Sequence, residues 1–183
     1  THKNSELCLG YGADASGTYM LLGGELAVEG EEVGVHGAGT FVQTGGVHTV
    51  LGYLTLGFWI GSTGRYELHD GVLTTGSYGD IGFGTAGTFV QTGGMHTVND
   101  CLILGSHRGG LGSYSLSGGE LRVLGEVENI GCEEEDRGAG LFQQSGGTHQ
   151  AGLRLHIGCY YSNGTYELSN GQLFARQERI GEM

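Results

Sequence analysis

Several groups of residues in this chain have types and spacings that could do chemistry. His48, His96 and His149 each follow a glutamine by five residues (Gln43, Gln91, Gln144). Imidazole is a common metal ligand, so a recurrent histidine invites a metal reading. Four cysteines, Cys8, Cys101, Cys132 and Cys159, lack the Cys-x-x-Cys spacing of a zinc site. Cys132 and Cys159 share a context, since each directly follows an Ile-Gly pair. Glu133-Glu134-Glu135-Asp136 clusters four carboxylates, the oxygen chemistry that Ca2+ takes. Phe58-Trp59 and Tyr160-Tyr161 are aromatic pairs able to stack on sugar rings or anchor a partner. Asn163-Gly164-Thr165 matches the glycosylation sequon, a short and weakly specific signal.

The elements that must position these residues come from a repeat. A phrase seen most cleanly at Gly87–His96 (GTFVQTGGMH) opens at Gly17, Gly39, Gly64, Gly87, Gly112, Gly140 and Gly164, at spacings of 22, 25, 23, 25, 28 and 24 residues. A period of this size signals a stacked-repeat architecture. Its aromatic column reads Tyr19, Phe41, Tyr66, Phe89, Tyr114, Phe142, Tyr166, and two residues on stand Leu21, Gln43, Leu68, Gln91, Leu116, Gln144, Leu168. Mostly polar residues alternate with them, the period of a strand with one buried face. A turn follows, and its second position is Gly in all seven: Gly24, Gly46, Gly71, Gly94, Gly119, Gly147 and Gly171. That constancy predicts a backbone conformation that only Gly accepts cheaply. A second short strand carries Leu26, His48, Leu73, His96, Leu121, His149, Leu173, and a third ends in an apolar residue before Gly: Val33, Leu56, Ile81, Leu104, Ile130, Ile157, Ile180.

Three strands and three turns per phrase predict an all-β, single-stranded parallel β-helix: one β-solenoid domain over residues 1–183, with a partial coil over 1–16 and about seven coils of about 24 residues, the last incomplete. Seven coils at the inter-strand spacing make a rod of about 35 Å. The repeats alternate in kind. Those from Gly17, Gly64, Gly112 and Gly164 carry Tyr-x-Leu and an acidic residue near the final apolar one (Glu31, Asp80, Glu128, Glu178); the others carry Phe-x-Gln and the histidine. A single wide turn of about 48 residues is therefore the alternative to one of about 24.

Coil geometry constrains the chemistry. With 24-residue coils the three histidines lie two coils apart, about 9.6 Å, too far for one ion to bridge. Gln and His bonded to each other or to neighbouring backbone is the preferred reading, since buried polar groups need partners. Cys132 and Cys159 fall in one column of adjacent coils, about 4.8 Å apart, within disulfide reach; stacked free thiols are the alternative. Cys8 and Cys101 sit in different columns and cannot pair within the chain. The acidic run reads as an inserted, solvated loop, with Ca2+ at Glu133, Glu134, Glu135 and Asp136 as the alternative; no other cofactor and no metal site are expected. Packing beneath a loop is the plainer reading of Phe58, Trp59, Tyr160 and Tyr161. No Ser-His-Asp order or paired catalytic carboxylates are legible, so no catalytic residue is assigned and no enzyme is expected.

Composition excludes other classes. The chain holds 40 glycines and no proline, yet is 38% hydrophobic, with apolar residues in register. A net charge of −12, with 8 Lys+Arg against 20 Asp+Glu, repels nucleic acid and anionic membranes. No apolar run approaches the ~20 residues of a membrane-spanning helix. The chain opens on Thr1 rather than Met and shows no signal peptide, from which earlier processing or trimming is expected.

The pattern G-[TS]-[YF]-x-[LQ]-[ST]-G-G followed by L-x-L-G or E-x-I-G resembles the Gly-rich β-strand repeats of bacterial surface proteins, the autotransporter-passenger-like and PEP-CTERM-type repeats. The likeness covers nearly all of residues 7–181. It implies a secreted β-helical stalk at the cell surface or outside the cell, serving in adhesion or a surface layer, and it carries no catalytic residues. The expected function is a non-catalytic structural or adhesive solenoid, either a head-to-tail filament subunit or a piece of a longer repeat protein. A carbohydrate-binding module for a host or matrix glycan is the alternative, and a polysaccharide lyase or hydrolase a more distant one. End-to-end self-association is the expected partnership, because bare coil ends expose unpaired strand edges.

Overall fold

The computed structural model describes residues 2–107, 109–131, 138–159 and 161–181, with the side chains of residues 2–4 left aside. Every strand pairs in parallel, and the described residues contain no helix. Strands three steps apart in the chain are neighbours in space, which makes three columns of strands in stacked coils. The first column runs from Ser16–Leu21 through Ala38–Gln43, Thr63–Leu68, Ala86–Gln91, Leu111–Leu116 and Ala139–Gln144 to Asn163–Leu168. The second and third columns are joined at one level by the long strand Glu25–Val33, against which His2–Leu9 pairs along its length.

The register decides between the two coil lengths. Gly17, Gly39, Gly64, Gly87, Gly112, Gly140 and Gly164 are successive Cα partners, and so are the seven aromatics that follow them. Tyr66 and Phe89 are vertical neighbours, with ring centroids 4.9 Å apart and planes 3° from parallel. One coil therefore takes about 24 residues, and seven such turns build the solenoid.

Period-two alternation produces the core. In Thr63–Leu68, Gly64, Tyr66 and Leu68 point inward while Thr63, Arg65 and Glu67 face outward. The inward aromatics form an unbroken stack from Tyr19 to Tyr166 at centroid spacings of 4.6 to 5.1 Å. Phe41, Tyr66, Phe89, Tyr114 and Phe142 are wholly buried within it. Each such side chain contributes roughly 1.5–3 kcal/mol by burial. Parallel pairing supplies the geometry, since it places identical positions one strand spacing apart.

All seven turn glycines stand at positive φ, between 64° and 101°. Two effects act there and can be separated. Gly24, in the first complete coil, has φ +81° and open space where a Cβ would go, whereas a Cβ on Gly94 (φ +64°) would lie 2.6 Å from the Gly71 carbonyl oxygen of the coil below. Gly24→Ala should cost about 1–2 kcal/mol, the left-handed backbone penalty alone. Gly94→Ala or Gly94→Val should cost clearly more, by urea unfolding. Equal losses would mean that coil-to-coil contact at the turn is unimportant.

Candidate functional site

The polar side chains of the Phe-Gln-His coils face the core. Gln43, His48, Gln91, His96 and His149 are fully buried, and Gln144 nearly so. Each histidine lies flat on the phenylalanine of its own coil, at 4.7 Å for Phe41–His48, 4.9 Å for Phe89–His96 and 4.6 Å for Phe142–His149. What joins Gln to His is the tyrosine of the next coil. Tyr66 Oη donates to Gln43 Oε1 at 2.7 Å and meets His48 Nδ1 at 2.9 Å. The same pair of contacts links Tyr114 to Gln91 (2.6 Å) and His96 (3.2 Å), and Tyr166 to Gln144 (2.6 Å) and His149 (2.8 Å). Because the hydroxyl proton goes to the glutamine, the histidine Nδ1–H must be the donor to the phenolic oxygen. Each glutamine Nε2 then donates onward to turn and strand carbonyls, as Gln43 does to Val72 O at 3.1 Å.

The far nitrogen of the ring distinguishes the three layers. His149 Nε2 lies 3.0 Å from Glu128 Oε2 and hydrogen-bonds to it. His48 Nε2 lies 3.0 Å from Glu31 Oε2, an ion-pair distance without hydrogen-bond angles. All four side chains are fully buried; both oxygens of Glu31 and Oε1 of Glu128 have no hydrogen-bond partner. The middle layer has Gly79 in the position of Glu31 and Glu128, and there His96 Nε2 meets the Thr75 hydroxyl at 3.2 Å. With Nδ1 donating to Tyr114, Nε2 accepts from Thr75, and both bonds suit a neutral ring. Burial, and then the charge of His48, push the His96 pKa from 6.5 down to about 3. Burial likewise raises the Tyr66 and Tyr114 hydroxyls well above their ordinary value.

Sequence reasoning expected direct Gln–His or backbone bonds and did not find the tyrosine bridge. The signal was present: hydroxyl-bearing Tyr alternates strictly with the Phe of the coils that hold Gln and His. It also grouped Asp80 with Glu31, Glu128 and Glu178. The register separates them: Glu31, Glu128 and Glu178 occupy one inward column, whereas Asp80 sits one residue along, opposite Thr55 and Ile103. A one-residue shift moves a strand side chain to the other face, and the Asp80 carboxylate instead accepts from Ser106 Oγ at 2.8 and 2.9 Å.

The remaining candidates are dispersed. Cys8 and Cys101 lie in different columns and form no disulfide, whereas Cys159 is disulfide-bonded; Cys132 lies outside the described residues. Burial, followed by the carboxylates of Glu32 and Glu6, raises the Cys8 pKa, which keeps the thiol protonated and unreactive. Glu133, Glu134, Glu135 and Asp136 also fall outside the described residues, as does Tyr160. Among the described residues no group of three or more His, Cys, Asp or Glu could hold a metal ion, and no helix is long and apolar enough to cross a membrane. Phe58 is half-buried in a stack with Phe83, itself stacked on His107. Trp59 is 53% exposed and lies parallel to His36, and Tyr161 is exposed four coils further along the axis, so the two form no common platform.

Fold and core together define a parallel β-helix with a polar, aromatic-lined interior. Compared with family models, with curated proteins and with solved structures, the chain matches none.

Two measurements test the core chemistry. Glu128→Leu leaves His149 buried without its carboxylate and should cost about 3–5 kcal/mol, of which the added change His149→Leu should restore a large part. A double variant no more stable than the single one would mean that the two side chains act separately. The second test is pH. His96 has a lower pKa folded than unfolded, so the unfolded chain binds more protons between about pH 6.5 and pH 3. The stability that comes from keeping it neutral is fully present above about pH 6.5 and is lost as pH falls toward 3. His96→Gln should therefore reduce the slope of unfolding free energy against pH by about 1.4 kcal/mol per unit in that window.

Proposed function

We propose that this chain is a non-catalytic structural or adhesive β-solenoid of a bacterial surface or extracellular assembly, whose rods join end to end. The observation that carries this reading is the uninterrupted, in-register stack of coils around one enclosed core. The last described coil repeats the inward positions of the coils beneath, with its side chains facing water. Ile180 is 72% exposed above Ile157, which is buried, and Leu168 is 51% exposed. Such a face, with unpaired strand edges, takes a further coil, either of a second copy or of a longer repeat chain.

The kind of coil is specified by the alternation. Glu178 stands in the column of Glu31 and Glu128, whose partners are histidines of the coil above. At the opposite end His2 is in register with Leu26, hence in the column of His48, His96 and His149. A second copy placed on the last coil would bring its His2 position over Leu173 and continue the Phe-Gln-His and Tyr-Leu alternation. The imidazoles of His48, His96 and His149 and the amides of Gln43, Gln91 and Gln144 are meanwhile enclosed in the core.

Sedimentation velocity and electron microscopy across about 10 µM to 1 mM test this reading, a range in which weak self-association appears. Rods should lengthen in whole multiples of about 35 Å, and Ile180→Asp should stop the growth. Single short rods at every concentration would overturn the end-to-end assembly.

A further inference from the structure

One open cleft outside the core brings polar and aromatic side chains together. It has a volume of about 380 Å³ and spans three coils at the turn from the third strand to the first. Asp14, Ser16, His36 and Thr63 line it. Gly37 also lines it, and a Cβ there would lie 2.2 Å from the Ala15 carbonyl oxygen of the neighbouring coil. Asp14 is the one non-glycine residue at positive φ among the described residues (60°), a conformation that Asp tolerates better than most. Its carboxylate has no partner among the described residues.

Aromatic rings continue from one wall. The His36 ring that lines the cleft also lies parallel to Trp59, with centroids 5.8 Å apart and planes 1° from parallel, and Tyr11 meets it edge-on at 6.3 Å. Trp59 and Tyr11 keep more than half of their surface in water. Large exposed rings beside a lined cleft mark a binding surface more often than a bare one.

We propose that this cleft binds a neutral oligosaccharide of pyranose units. A pyranose has a rim of hydroxyls and a face of C–H groups. The Asp14 carboxylate and the Ser16 and Thr63 hydroxyls match the rim, since a carboxylate accepts strongly from hydroxyl donors. The exposed rings match the face. Charge selects among sugars: with a net charge of −12 on the chain and Asp14 at the site, uronate, sulfated and phosphorylated glycans are repelled. Asp14 and Ser16 belong to the first coil, whose strand Ser16–Leu21 ends its sheet, so binding is measured at a concentration at which the rods stay single and failure of the joining leaves the cleft testable.

Trp59 is the only tryptophan in the chain, so its fluorescence reports on the cleft without a label. The 183-residue chain is titrated with cellotetraose, mannotetraose and chitotetraose as neutral probes and tetragalacturonate as the anionic one. A saturable change is expected with at least one neutral tetrasaccharide and none with tetragalacturonate. Asp14→Asn and His36→Ala should each weaken that binding about tenfold, the loss of one charge-assisted contact or one ring face, with circular dichroism and melting unchanged. No saturable change with any neutral probe overturns the proposal. So does equal binding of tetragalacturonate, or an Asp14→Asn variant that binds like the parent.

Discussion

In-register stacking of parallel strands is the constraint on which the rest of this structure depends. It puts each side chain about 4.8 Å from its counterpart in the next coil, so a column holds only residues that tolerate their own kind, or a complementary kind, as vertical neighbours. Aromatic rings satisfy this by lying face on face, and the seven stacked rings form the spine of the core. Glycine satisfies it where backbone approaches backbone, at the turns and at the coil-closing positions, where positive φ recurs from Gly10 to Gly181.

The same constraint explains why a solenoid core contains so much polar chemistry. Two histidines or two glutamines directly stacked would leave donors facing donors. Alternating them with leucine, and setting tyrosine above phenylalanine, gives the Gln Oε1 and His Nδ1 atoms a shared partner one coil away. The Tyr hydroxyl serves both the Gln and the His below it, so adjacent coils are tied together in pairs by hydrogen bonds as well as by burial. Buried networks of this type favour one register over others, because a slip leaves several polar groups unpaired at once. The Glu31–His48 and Glu128–His149 pairs add specificity at a desolvation cost, and the middle layer shows that a Thr hydroxyl can take the place of the carboxylate.

A structure of this kind separates interior from surface sharply. His48, His96 and His149, whose recurrence in the sequence invites a metal reading, are buried members of the core. Exposed chemistry lies instead on the turns between third and first strands, where coil-to-coil differences are tolerated because no inward column has to be matched. Tyr11, Asp14, His36 and Trp59 all belong to that region.

The sequence by itself determined the fold class and the inward pattern, and left a turn of about 24 or about 48 residues for the register to decide. Periodicity and alternation fix which residues face inward, and the seven repeated glycines fix the turns, because both depend on local backbone geometry and on the two-residue period of a strand. It also identified Leu26, His48 and their successors as one column. Vertical partnership was decided only by the tertiary structure. Whether a histidine meets a glutamine, a tyrosine or a carboxylate depends on how side chains of one coil lean toward the next. One residue of register separates the enclosed Glu31 and Glu128 from the Ser106-bound Asp80. The cleft beside His36 was likewise out of reach of the sequence, since it joins loop residues from three coils whose lengths differ and whose juxtaposition follows only from the stacking.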